Sequence, residues 1–203
     1  MKIIEGIKKY SNTDRIALKC NDENLSYKDL DKYSEAIALY LKDIYGDEDT
    51  PIVIYGNKEN KIMACMIGAL KSGRAYVPLD ISFPIDRVFE VTKEVKPKIV
   101  FNFSEETNFG DLNIVNEEKL NEIIKTYEGK SISKENWVKD DENAYILFTS
   151  GSTGKPKGVQ ISSNNLDSFV DWISPYLKID GSEKVIMNQA AYSFDLSVTS
   201  IYP

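Results

Sequence analysis

Ala144-Tyr-Ile-Leu-Phe-Thr149 runs without a break into Ser150-Gly-Ser-Thr-Gly-Lys-Pro-Lys-Gly158, and this junction of apolar run and polar loop decides how the chain is read. The first six residues are apolar, aromatic and too few for a free-standing helix, which suits a buried strand. From Thr149 onward, ten residues hold three glycines, four hydroxyls and two lysines, in a chain with 11 glycines among 203 residues. Glycine lets backbone amides approach a ligand without a Cβ clash, hydroxyls add neutral hydrogen bonds, and lysines offset negative charge. Those are the requirements of a polyphosphate, so Thr149, Ser150, Gly151, Ser152, Thr153, Gly154, Lys155 and Lys157 are the candidate phosphate-binding residues. A P-loop is excluded, because counting from Gly151 puts Pro156 at its second glycine and Gly158 at its Ser or Thr. The plainer reading is a glycine-rich turn between two strands, but hairpin turns are usually shorter and carry fewer hydroxyls.

Upstream of the junction, Ser26 with Asp29 three residues on reads as a capping box. A helix follows with Leu30, Tyr33, Ile37, Leu41 and Ile44 on one face, ended by Gly46. Pro51–Gly56 reads as a buried strand. The next helix carries Ile62, Met66, Ala69 and Leu70 before Gly73, and Ala75–Leu79 returns to strand. Pro84 starts a helix with Ile85, Val88, Phe89 and Thr92, stopped by Pro97, and Lys98–Phe103 is strand again. Residues 104–143 read as a polar connection with a weak helix near 117–127. Beyond the loop come a short strand at Val159–Ile161, a helix from about Asn164 to Tyr176 and a strand at Lys184–Asn188. Strands alternating with helices predict an α/β fold with a largely parallel sheet.

Composition removes several chemistries. The chain has no histidine, so it holds no Ser-His-Asp or Cys-His triad, and two cysteines are too few for an all-cysteine zinc site. With 32 acidic against 25 basic residues the net charge is −7, a poor balance for general nucleic-acid binding. The start, with charges at Lys2, Glu5, Lys8 and Lys9, reads as neither signal peptide nor membrane span, and the expected location is the cytoplasm.

The loop Thr149–Gly158 after a buried strand resembles the signature loop of the adenylate-forming enzymes. Leu25-Ser-Tyr-Lys-Asp-Leu30 resembles that superfamily's first core motif. Leu70-Lys-Ser-Gly-Arg-Ala-Tyr-Val-Pro-Leu-Asp80 resembles its second, as found in amino-acid adenylation domains, and order and spacing agree along nearly the whole chain. Asn188-Gln-Ala-Ala-Tyr-Ser-Phe-Asp-Leu-Ser197 resembles the Phe-Asp-x-Ser motif of amino-acid adenylation, whose aspartate meets the substrate's α-ammonium. With Gly158–Ser162 and Asp171–Ile173, this stretch is most similar to members that load D-alanine onto a carrier protein for teichoic acid modification.

The resemblance implies ATP and Mg²⁺ as cofactors, D-alanine and a phosphopantetheinylated D-alanyl carrier protein as partners, and Asp195 as the amino-acid-binding residue. On local sequence alone Asp195 also reads as the N-cap of the helix that Leu196, Val198 and Ile201 outline. Tyr192 and Phe194 read as core more readily than as pocket. Asp80 and Arg87 read as capping and surface pairing, Asp140–Glu142 as a solvated loop, and Cys20 and Cys65 as small core residues. Members of the superfamily are much longer and place the adenine and ribose motifs, the hinge and the adenylating lysine further on. Residues 1–203 are therefore expected to form the N-terminal portion of the large domain, with no catalytic residue of their own and no activity alone. The remaining alternatives are a peptide-synthetase adenylation domain for another amino acid and a noncatalytic nucleotide-binding module.

Overall fold

The structure is a computed structural model describing residues 1–106, 108–150, 155–178 and 184–202. Its elements in chain order begin with helix α1 (Lys2–Tyr10), a hairpin of β1 (Ile16–Cys20) and β2 (Glu23–Ser26), and helix α2 (Tyr27–Tyr45). Strand β3 (Ile52–Gly56), α3 (Asn60–Lys71), β4 (Tyr76–Asp80), α4 (Ile85–Val95), β5 (Val100–Asn102), β6 (Ile114–Val115) and α5 (Glu117–Thr126) come next. The described chain ends with β7 (Asn143–Ser150), β8 (Pro156–Ser162), α6 (Ser163–Ile173), a 3₁₀ turn at Asp195–Ser197 and a short α7 (Val198–Ile201).

Six strands form one sheet in the order β6-β5-β3-β4-β7-β8, with every neighbouring pair parallel except β7 and β8. Each residue of β3 is buried, as a parallel strand covered on both faces requires. Its side chains alternate: Ile52 and Ile54 pack with α2 and α3, whereas Val53 and Tyr55 pack with Val88 and Val91 of α4. The crossover β3-α3-β4 moves one way along the sheet, and β4-α4-β5 moves back past β3. With right-handed crossovers, that reversal puts the two helices on opposite faces and opens a crevice at the C-terminal ends of β3 and β4.

Local signals explain most boundaries. Ser26 Oγ accepts from the Asp29 amide at 3.0 Å, but the Asp29 carboxylate is bonded by the Ser26 hydroxyl rather than reaching back to the cap backbone. Only half of the expected box forms, since aspartate is a methylene shorter than the glutamate that closes one. Gly46 ends α2 with φ +60°. Ser162 and Asn165 make a complete reciprocal box at the start of α6, with both bonds at 3.2 Å.

Elsewhere tertiary packing changes the expected pattern. The face of α2 shifts at its end: Ile44 is exposed and Tyr45 is buried, its hydroxyl accepting from the amides of Lys98 and Ile99. Helix α3 is buried nearly all round, because α2 lies against one side and the sheet against the other; a Cβ on Gly68 would stand 2.6 Å from Ile37 Cγ2. The strand expected at Lys184–Asn188 is irregular coil with Val185 and Met187 exposed, because it pairs with no described strand. Strand β8 is longer than expected and antiparallel to β7, so the glycine-rich loop does close a hairpin. Helix α1, the β1–β2 hairpin and β6 carried no clear sequence signal. Cys65 is core, but Cys20 is half-exposed.

The Leu70–Asp80 stretch holds charge inside the fold. Lys71 is fully buried, with its ammonium 2.6 Å from Asp31 Oδ1 and 2.9 Å from Glu35 Oε1, and Glu35 also receives Lys8 Nζ at 2.8 Å and the Ile132 amide at 2.7 Å. Arg74 donates to the carbonyls of Ser72 and Gly46 and lies 5.0 Å over the Tyr45 ring. These residues knot α1, α2 and α3 together, a structural role for part of that motif.

Candidate functional site

The C-terminal rim of the sheet carries both ends of the glycine-rich loop. Thr149 and Ser150 finish β7, Lys155 precedes β8, and Lys157 lies in β8 directly opposite Thr149. Gly151, Ser152, Thr153 and Gly154, at the tip of the loop, lie outside the described residues. Both lysines are exposed and neither forms an ion pair with a described residue, which leaves two cations at the mouth of the loop. Gly158 has a packing reason: its Cβ would stand 2.9 Å from Ile146 Cγ2 and 3.2 Å from Phe148 Cζ. That close approach needs no phosphate to explain it.

Arg87 has a role that pattern reading missed. Its guanidinium donates to the Thr149 carbonyl at 3.1 Å and also pairs with Glu90 at 3.7 Å. The expected surface pair is present, and the same side chain also ties α4 to the start of the loop. Asp80 accepts from the Ser82 amide at 2.9 Å, which closes a turn rather than capping α4, whose cap position is Pro84 with no side-chain cap bond.

Asp195 opens the 3₁₀ turn, is exposed, and makes no ion pair with a described residue. Phe194 holds the cap position and no side-chain cap bond forms, so the N-cap reading of Asp195 fails. Its charge is felt by the Tyr145 phenol in β7. Phe194 and Leu196 beside it are 57% and 58% exposed, against the expectation that Phe194 is core, whereas Tyr192 is buried as expected. No hydrogen bond or ion pair among the described residues joins Asp195 directly to Thr149 or to Lys155–Gly158.

A buried tyrosine cluster seats the turn that carries Asp195. Ser197, Val198 and Tyr202 face inward. The Tyr202 hydroxyl bonds that of Tyr76 in β4, and the Tyr76 ring stacks 5.6 Å from that of Tyr145 in β7. Burial pushes the Tyr145 phenol up to about 12, with the Asp195 charge adding to the shift. Burial does the same for Tyr192, helped by Cys20 and Glu59. The Tyr76 phenol is driven well above its ordinary value by burial, and then by Tyr202 and the other rings. Tyr202, Tyr76 and Tyr145 thus join the segment after Asp195 to β4 and β7.

A recess of about 400 Å³ lies at the other end of the sheet, lined by Pro51, Ala75 and Asn143 at the starts of β3, β4 and β7. Ligands of open α/β sheets bind outside the carboxyl ends of strands, so this recess is not the candidate site.

Residues 8–203 match the family of AMP-binding enzymes. The chain belongs to that family. This AMP-binding chain is 40% identical over 207 aligned residues to the D-alanine–D-alanyl carrier protein ligase of Bacillus cytotoxicus, covering all of the chain and 41% of that relative. It is 38% identical over 205 residues to the ligase of the same name from Bacillus anthracis, again over 41% of that protein. The chain thus spans about two-fifths of the length of these relatives. Among solved structures it resembles a four-domain nonribosomal peptide synthetase bound to AMP and glycine. The TM-score is 0.77 at 22% identity, over 98% of this chain and 14% of that one, a likeness of fold. Among the described residues no helix is long and apolar enough to cross a membrane.

Proposed function

We propose that the full-length gene product activates D-alanine with ATP and passes it to the phosphopantetheine thiol of a carrier protein, for D-alanylation of teichoic acid. The observation that carries this reading is the 40% identity, along the entire chain, to relatives named D-alanine–D-alanyl carrier protein ligase. Residues 1–203 then correspond to the N-terminal portion of the large domain, in keeping with their match to 41% of the length of the Bacillus cytotoxicus relative. The cytoplasm, which supplies ATP, is its place.

A free carboxylate is a poor acyl donor. Its oxygen attacks the α-phosphorus of ATP, the bond to the β-phosphate oxygen breaks, and an aminoacyl-adenylate and pyrophosphate result. The carrier thiol then attacks the acyl carbon, loses its proton and displaces AMP. In this reading Thr149–Lys157 receives the β and γ phosphates, with Lys155 and Lys157 offsetting charge that builds on the leaving pyrophosphate. The carboxylate of Asp195 holds the α-ammonium by a charge-assisted hydrogen bond and orients the amino acid for in-line attack. Fatty acids leave that carboxylate unpaired. Among the described residues no cluster of carboxylates or cysteines converges to cage a metal. Mg²⁺ would be carried by the nucleotide's phosphates, as is usual for that ion, and the Thr149 hydroxyl is an oxygen ligand of the kind it takes.

Amino-acid-dependent exchange of pyrophosphate into ATP by the full-length gene product tests the reading. Exchange with D-alanine in clear preference to L-alanine and other amino acids is the expected result. Preference for another amino acid moves the protein to the peptide-synthetase class, and exchange with none leaves nucleotide binding alone.

A further inference from the structure

Lys58 stands in the turn between β3 and α3, on the same rim as the phosphate loop. Its ammonium donates to two successive carbonyls far along the chain, Asn188 O at 3.0 Å and Gln189 O at 2.6 Å. It forms no salt bridge with a described residue, so its charge is committed to this backbone segment. A charged donor bonding two successive carbonyls sets both the position and the direction of the strand it holds.

The turn that presents Lys58 is itself rigid. A Cβ on Gly56 would stand 2.5 Å from Ile62 Cδ1 and 2.8 Å from Phe103 Cβ, and the Asn57 amide bonds Glu59 Oε2 at 2.9 Å. The segment it grips has no ladder of its own, since 184–190 is irregular and pairs with no described strand. Just beyond, Tyr192 and Ser193 lie over Gly56 and Asp80 at the ends of β3 and β4. The far side of the segment is held by the Tyr202–Tyr76 hydrogen bond. Asp195 is therefore suspended between two anchors, one polar and upstream, the other aromatic and downstream.

We propose that Lys58 is a positioning residue for amino-acid recognition, pinning residues 188–189 to the β3–α3 turn so that Asp195, a few residues on, is held where it meets the substrate ammonium. The inference rests on the adenylation reading above and assigns a residue outside the superfamily's core motifs to substrate affinity. Lys58 touches no reacting atom and acts through Asp195.

Lys58→Met keeps the aliphatic stem and removes the ammonium, Lys58→Arg restores a cation able to donate to two carbonyls, and Lys61→Met is the control. Lys61 pairs elsewhere, with Glu117 and Asn121. In pyrophosphate exchange by the full-length gene product, Lys58→Met should raise KM for D-alanine by about tenfold and leave KM for ATP within about twofold. Lys58→Arg should recover most of the loss, and Lys61→Met should behave as wild type. An unchanged KM for D-alanine, an equal rise for ATP, or no recovery with arginine overturns the proposal. Amide hydrogen exchange gives a readout without turnover. Lys58→Met should speed exchange at 190–197 by about tenfold while leaving β3 and β4 unchanged, and equal rates at 190–197 overturn the anchoring. Wild-type enzyme inactive with every amino acid refutes the adenylation reading alone, and hydrogen exchange then decides the anchor.

Discussion

Replacing Lys71 by methionine should destabilise the fold by about 3 kcal/mol. The side chain is fully buried and bonds Asp31 and Glu35. Methionine fills similar volume, so the loss is chiefly electrostatic. Removing one member of a buried ion pair costs about 3–5 kcal/mol, because the remaining charge stays desolvated. Here Glu35 keeps Lys8 Nζ at 2.8 Å and the Ile132 amide at 2.7 Å, which puts the expected cost at the lower end. In a chain of this size that is a fall in Tm of about 6–12 °C. Equilibrium urea unfolding followed by the fluorescence of buried Trp137 measures it. Adding Glu35→Gln removes the stranded charge but keeps an acceptor for the Ile132 amide, so the double variant should recover about half the loss. The pH dependence carries the same signature. Burial raises the Glu35 carboxyl, but the Lys71 charge and the bonds from Lys8, Ile132 and Lys71 outweigh it and hold the group below 4.5. Its contribution is present above that pH and lost as pH falls through the folded value, and Lys71→Met should blunt this acid limb. A cost below about 1 kcal/mol, or a double variant as unstable as the sum of the singles, refutes the reasoning.

Alanine at both Lys155 and Lys157 should weaken ATP binding by the full-length gene product about tenfold or more, and unchanged affinity in equilibrium dialysis removes the phosphate assignment. Asp195→Ala should lower kcat/KM for D-alanine by about a hundredfold or more with ATP affinity intact, so retained turnover ends the role of that carboxylate. In alkali, Tyr145 and Tyr192 should stay protonated until pH approaches about 12. Raised phenol values contribute stability that is complete below pH 10 and lost as pH rises through the folded value. A tyrosinate absorbance titration finished near pH 10 with circular dichroism unchanged contradicts the buried cluster.

Much of this molecule is written locally. The alternation of apolar runs with periodic helices, the serine caps, Gly46 and Pro84 each act within a few residues, so the α/β class and the element order from 25 to 103 are legible without coordinates. The expectation that the loop Thr149–Gly158 receives phosphate rests on residue types alone. Long-range contacts were not legible in the same way. Arg87 reaches Thr149 across 62 residues and Lys58 reaches Asn188 across 130, and no periodicity encodes such a pairing. The apolar run 184–188 satisfies every local rule for a strand, yet a strand exists only with a partner to complete its hydrogen bonds. The burial of Lys71 and Arg74 depends on α1, α2 and the Ser72 and Gly46 carbonyls, which close over them only in the fold. The cap reading that local sequence also allowed for Asp195 fails in the structure, where Phe194 holds the cap position and no side-chain cap bond forms. Sequence by itself determined the class of fold and the residue types of the loop on which the phosphate proposal rests, since both arise from neighbouring residues. Tertiary structure decided which charges are buried, which are exposed, and what holds them there, since burial and pairing depend on segments that meet only when the sheet has formed.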